Sequence, residues 1–225
     1  SDLEADGIIA LGKFSPKTIQ DLESYGKPLI FVDSNTLYLG HSCVTTDLED
    51  SVIRALEYFL DHGHKEIGLL VGQEETADAT PLQMDPRQRT FQQFLTEKGL
   101  YEERFVSVGQ FSTESGYQMM EQLIQDLGDD LPTAFFMASD ALAVGALRSL
   151  QEHQIAVPDR VSLISFNDTS IAKYVFPALS TVTVYTEEMG KQAIQMLRQT
   201  FQGSQPSVPY MVKLATKLTI RDSSR

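Results

Sequence analysis

Val161-Ser162-Leu163-Ile164-Ser165, followed at once by Phe166-Asn167-Asp168, joins an apolar strand to a polar end, and this pairing recurs along the chain. The strand is apolar nearly throughout rather than alternating, the pattern of a strand covered on both faces. Working outward, Ala134-Phe135-Phe136-Met137, Ile67-Gly68-Leu69-Leu70-Val71, Leu29-Ile30-Phe31-Val32 and Gly7-Ile8-Ile9-Ala10-Leu11 read the same way, with Phe105-Val106-Ser107-Val108 as a further strand. Helix-period segments lie between them. Behind Asp47 as a cap, Leu48, Val52, Leu56, Phe59 and Leu60 form an apolar stripe; from Thr113, Tyr117, Met120, Leu123, Ile124 and Leu127 form another. Two more helices are expected around 87–98 and after Asp140. Ser15, Pro16 and Gly26 bracket the first helix as N-cap, first helical residue and stop. Strands alternating with amphipathic helices specify an α/β fold with parallel sheets covered on both sides.

After about residue 179 the rhythm changes. Thr181-Val182-Thr183-Val184 is extended, Thr186 is placed to cap a helix carrying Met189, Ala193, Ile194, Leu197 and Phe201, and Tyr210–Ile220 alternates as one final strand.

Composition narrows the function. The 225 residues suffice for one large α/β domain or two modest lobes. No apolar run approaches the roughly 20 residues that cross a bilayer. The start, Ser1-Asp2-Leu3-Glu4, is unlike a secretory signal. A single cysteine, Cys43, excludes an internal disulfide and fits a reducing cytoplasm. The net charge is −13, and the 18 Lys and Arg are scattered among 31 acids. A phosphate-tracking surface needs clustered cations, so this stretch is not expected to bind nucleic acid itself.

In open parallel sheets ligands bind beyond the carboxyl ends of the strands, where loops and helix N-termini converge. Those ends carry Asp33, Gly72, Gln110 and Phe111, Ser139 and Asp140, and Phe166, Asn167 and Asp168. Each has a purely local explanation. Asp140 can cap a helix, Asp33 can form an Asx-turn, Asn167-Asp168-Thr169 can cap the next helix, Phe111 can be core, and Arg87 and Arg89 can lie on a solvated face. Their sharing one kind of edge is what local chemistry does not explain. Carboxylates, amides and an aromatic face together suit a carbohydrate.

Enzyme signatures are missing. The chain has no G-x-S-x-G elbow, P-loop or G-x-G-x-x-G, and Ser170-Ile171-Ala172-Lys173 lacks the companion motifs of S-x-x-K enzymes. Glu74 and Glu75 read as a solvated loop. His41, His62, His64 and His153 form no ligand cluster, so no metal, cofactor or catalysis is expected.

The residues resemble the LacI/GalR family of repressors. Gly63-His64-Lys65-Glu66-Ile67-Gly68-Leu69-Leu70-Val71-Gly72 is similar to that family's GH-x-x-I-x-x-L-x-G, and Arg87-Gln88-Arg89-Thr90-Phe91 to its R-x-x-G-F, with Thr90 for glycine. Ala138-Ser139-Asp140-Ala141-Leu142-Ala143-Val144-Gly145 resembles A-N/S-D-x-x-A-x-G. Val157–Asp168 resembles V-P-x-D-V-S-x-x-G-F-D/N-D, with Ser165 for its glycine, and Leu179-Ser180-Thr181-Val182 with Glu188-Met189-Gly190 resembles L-T-T-V…E-M-G. Position 185 is Tyr where many members have Pro.

The resemblance implies two Rossmann-like lobes like those of periplasmic sugar-binding proteins, joined by three crossovers. The first lobe would comprise 1–46 and 184–211, incomplete at its N-terminus, and the second 47–183 and 212–225. A DNA-binding helix-turn-helix headpiece and βα units before Gly7 are expected upstream and are not in this sequence. A sugar effector would sit in the interlobe cleft and modulate operator binding. Arg87 would be the ligand arginine, Asn167 a polar ligand contact, Phe111 the stacking aromatic, Ser139 a polar contact, Asp33 the contact from the other lobe, and Asp140 a supporting residue. A cytoplasmic homodimer is implied, with no membrane partner. Phe31-Val32-Asp33-Ser34-Asn35 and Tyr185–Gly190 resemble the galactose or β-galactoside branch. The competing expectation is the sugar-binding protein of a transporter, which shares the fold.

Overall fold

A computed structural model of the chain describes residues 5–76 and 84–225. In chain order the elements are β1 (Ile8–Leu11), α1 (Pro16–Glu23), β2 (Leu29–Val32), β3 (Cys43–Thr46), α2 (Leu48–Asp61), β4 (Ile67–Gly72), α3 (Pro86–Glu97), β5 (Val106–Gly109), α4 (Thr113–Leu127), β6 (Ala134–Met137), α5 (Asp140–Glu152), β7 (Ser162–Asn167), the short α6 (Ile171–Tyr174), β8 (Ser180–Thr183), α7 (Thr186–Phe201), β9 (Met211–Leu214) and β10 (Lys217–Thr219). The described residues divide into two compact units, 5–47, 75–76 and 185–215 in one and 48–74, 84–184 and 216–225 in the other.

The smaller unit holds a four-stranded sheet in the order β1-β2-β3-β9, every neighbouring pair parallel. Its buried centre is Ala10, Ile19, Phe31 and Cys43. Ser15 caps α1 by accepting from Thr18 N at 3.2 Å, and Pro16 opens the helix.

The larger unit holds a six-stranded sheet in the order β10-β8-β7-β6-β4-β5, parallel except where β10 pairs antiparallel with β8. Strands β4 and β6 are buried at every residue, which is why they read as unbroken apolar runs. Phe59, Phe91, Phe105, Phe135, Phe136 and Phe166 fill the core, each contributing about 1.5–3 kcal/mol by leaving water. Helices α4 and α5 approach closely through glycines. A Cβ on Gly145 would lie 1.9 Å from Thr113 O, and one on Gly116 would lie 2.3 Å from Leu142 O.

One strand was not anticipated: Cys43–Thr46, disguised by its two threonines and its shortness. Two expectations are corrected. The single strand expected over Tyr210–Ile220 is two strands in different sheets, β9 beside β3 and β10 beside β8. At the head of α7 the cap position is Tyr185, with no side-chain capping bond, and Thr186 is already helical.

Candidate functional site

The order β5-β4-β6-β7-β8 turns back on itself at β4, whose neighbours are β5 on one side and β6 on the other. Beyond the carboxyl ends of β4 and β6 the connections diverge, and a crevice opens there in doubly wound sheets. Arg87 lies at that point. Asp85, 4% exposed, caps α3 by accepting from Arg87 N at 2.8 Å, and Pro86 occupies the first helical turn. The same carboxylate accepts from Arg87 Nε at 2.9 Å and Nη2 at 2.7 Å, a bidentate pair. Arg87 Nη1 donates to Ala138 O, just past β6, at 2.7 Å, and Nη2 donates to Glu74 Oε1, just past β4, at 3.1 Å.

Aromatic faces complete the enclosure. The guanidinium carbon lies 4.9 Å from the Phe111 ring centre and 5.3 Å from that of Phe166. Gly72 makes room for this, because a Cβ there would stand 2.4 Å from the Phe111 ring and 2.7 Å from Phe111 N. Arg87 is 6% exposed, so the solvated-face reading fails for it, whereas Arg89 is exposed as that reading has it. A buried guanidinium is tolerated because Asp85 neutralises it and carbonyl and carboxylate oxygens accept from Nε, Nη1 and Nη2. Glu74 is not a solvated loop residue either, for its side chain is only 19% exposed against Arg87.

A second carboxylate organises the neighbouring strand ends. The N-cap of α5 is Ser139, which accepts from Leu142 N at 3.2 Å, and not Asp140. Asp140 is 1% exposed and accepts from Ser165 Oγ at 2.5 Å, Thr181 Oγ1 at 3.0 Å, Thr169 N at 2.6 Å and Thr169 Oγ1 at 2.8 Å. Its four bonds tie the head of α5 to β7, to β8 and to the turn after β7. In that turn Asn167 and Asp168 have φ of 110° and 59°, the left-handed region that Asn and Asp enter more readily than other non-glycine residues. They do not cap α6, whose cap position is Ser170.

Of the six residues named from sequence, Arg87 and Phe111 are in contact, Ser139 follows the carbonyl that Arg87 grips, and Asp140 is bonded to the turn that carries Asn167. Asp33 belongs to the smaller unit. There it follows β2 with φ of 63° and pairs with Lys13 Nζ at 3.2 Å. Sequence reasoning missed Asp85 and Glu74. Asp85 had a signal, an Asp immediately before the Pro that opens a helix. Glu74 had none, since its role depends on where Arg87 ends up.

Two surface cavities of about 550 and 230 Å³ lie on the smaller unit, one along α7 beside Lys191 and Arg198, the other beside His41 and Tyr210. Neither includes a residue from the strand ends described above. Among the described residues no three His, Cys, Asp or Glu side chains are grouped to hold a metal, and no helix is long and apolar enough to cross a membrane.

Known proteins resemble the chain across nearly all of its length. The model of the periplasmic binding protein-like domain family matches residues 56–224. The HTH-type transcriptional regulators GalR of Streptococcus thermophilus and of Lacticaseibacillus casei are 50% and 37% identical over 99% and 97% of this chain. GanR of Bacillus subtilis (strain 168), also an HTH-type transcriptional regulator, is 35% identical over 97%. The chain spans 66% of the length of each of these relatives. Among solved structures, a complex of the transcriptional regulator CelR with cellobiose matches with a TM-score of 0.84 at 25% identity, covering 98% of this chain and 66% of that one. A sugar-binding LacI-family regulator from Escherichia coli, complexed with phosphate, matches at 0.79 and 27%, covering 99% and 78%. The parallel sheets and these likenesses agree: the chain belongs to the periplasmic binding protein-like domain family, in its LacI/GalR branch.

Proposed function

We propose that this chain is the sugar-sensing, effector-binding domain of a LacI/GalR-type transcriptional repressor, with galactose or a galactoside as the effector. The observation that carries the reading is Arg87, buried and preset by Asp85 between two aromatic rings at the switch point of the sheet. A planar guanidinium beside aromatic faces suits vicinal hydroxyls above an apolar sugar face. Asn167 adds a carboxamide that can both donate and accept, Phe111 a stacking face, and Ser139 a hydroxyl. Asp140 supports the turn. Asp33 is assigned as a ligand contact from the smaller unit.

In the whole protein, sugar binding would shift the affinity for operator DNA, which an HTH segment outside these 225 residues would contact. Moving such an equilibrium from mostly bound to mostly free takes about 5.5 kcal/mol of differential affinity. Charge-assisted hydrogen bonds of about 1.5–3 kcal/mol each and a stacked ring can supply that. We assign the protein to the cytoplasm, as a homodimer without catalytic activity. Relatives spanning nearly all of the chain are named transcriptional regulators, which favours a sensor over a transporter component.

Calorimetric titration with galactose, lactose, ribose and glucose tests the reading. Saturable binding of one sugar is expected, abolished in Arg87→Ala and weakened in Asn167→Ala. Unchanged affinity in both variants sinks the site assignment.

A further inference from the structure

The turn after β7 is held from two directions. Downstream, Asp140 takes both the N–H and the hydroxyl of Thr169. Those bonds hold Thr169 and reach no atom of Asn167 or Asp168. The second hold acts on the Asp168 side chain. Asp168 Oδ1 accepts from Arg221 Nη2 at 2.7 Å and Oδ2 accepts from Thr183 Oγ1 at 2.8 Å, and the Asp168 side chain is 9% exposed. Arg221 is itself anchored. Its Nη1 donates to Leu179 O at 2.7 Å and its backbone N–H donates to Ser180 Oγ at 2.8 Å.

Consecutive non-glycine residues at φ of 110° and 59° persist only where the surroundings impose them. The imposed conformation has a visible result. Asn167 O accepts from Val184 N at 3.3 Å, while no hydrogen bond of the Asn167 carboxamide occurs among the described residues. The backbone of Asn167 is committed and its side chain is uncommitted.

We propose that Arg221 is a positioning residue of the ligand edge: by gripping Asp168 it imposes the left-handed corner that holds the Asn167 carboxamide ready for a ligand, without touching the ligand itself. The inference rests on the sugar-binding reading of Asn167. A guanidinium is needed because one group must reach the Leu179 carbonyl and the Asp168 carboxylate together, which the single point charge of lysine does less well.

Two measurements on the whole 225-residue chain test it. In ¹⁵N-labelled protein, Arg221→Gln and Asp168→Asn are expected to speed exchange of the Val184 N–H at least about tenfold, while Thr169 N–H, held by Asp140, keeps its protection. Unchanged exchange at Val184, or equal acceleration at both sites, overturns the clamp. In calorimetry with galactose, Arg221→Gln is expected to weaken binding about tenfold and Arg221→Lys less, with no further loss from Arg221→Gln in an Asn167→Ala background. An equal loss in both backgrounds makes Arg221 a general stability residue and also overturns it. Failure of the unaltered chain to bind galactose removes the ligand reading alone, and the exchange experiment still decides the clamp.

Discussion

Asp33 and Asp168 share a positive φ, 63° and 59°, each immediately beyond the carboxyl end of a parallel strand. Their surroundings differ. The Asp33 side chain is 56% exposed and meets a single lysine at 3.2 Å, whereas Asp168 is 9% exposed and is shared by a guanidinium and a hydroxyl. One local solution to ending a strand thus serves as a solvent-facing carboxylate in the smaller unit and as a fixed structural joint in the larger. The contrast extends along the larger unit's edge, where Asp85 and Arg87 are buried as an ion pair and Asp140 is buried among hydroxyl and N–H donors. Charge buried in this way rigidifies because every alternative leaves an ion without a partner.

The largest effect that would break the contrast is at Arg87. Arg87→Ala leaves the Asp85 carboxylate buried without its counter-ion, and a loss of about 3–5 kcal/mol is expected in denaturant unfolding. A loss no larger than that of a surface pair would mean that the edge is not rigid. Next comes Gly72→Ala, whose new methyl must displace Phe111 from its place over Arg87. A cost of about 1–3 kcal/mol is expected, together with weaker sugar binding. The two aspartates can be compared directly. Asp168→Asn is expected to cost about 1–3 kcal/mol, because it sets an amide donor against existing donors. Asp33→Asn, which keeps a residue tolerant of positive φ and loses one exposed ion pair, is expected to cost less than about 1 kcal/mol.

The smallest effect lies on the outer face of α4 and α5. The Glu152 carboxyl is held below its ordinary range of 4.5 by the hydrogen bond from Tyr117 and then by that from Arg148. A lowered carboxylate pKa stabilises the fold above the unfolded value, and the contribution is lost as pH falls through the lowered value. Both partners are exposed, so Tyr117→Phe is expected to raise the Glu152 pKa in an NMR titration while leaving the thermal midpoint unchanged.

Much of the fold was legible. Apolar runs identified β4, β5, β6 and β7 of the larger sheet, and Ser15-Pro16 located a helix start correctly. Cys43–Thr46 was missed because a four-residue strand with two threonines carries little periodicity, and it exists as a strand through β2 and β9. The helix-capping assignments for Asp140 and Thr186 were each displaced by one residue. A polar side chain near a helix start signals a cap without saying which of two neighbours accepts the bond.

Taken alone, the residues determined the alternation of strands and helices, the covered parallel sheets and the polar character of the strand ends, because burial on both faces and helical periodicity are written into local spacing. They also marked Arg87, Phe111, Ser139, Asp140, Asn167 and Asp33 as candidates through resemblance. The tertiary structure alone decided which groups meet. Asp85 and Glu74 converge on Arg87, and Arg221, just past the last strand, reaches back to Asp168. Those partnerships follow from strand order, and an isolated charge in a sequence specifies a need for a partner without specifying where along the chain that partner lies.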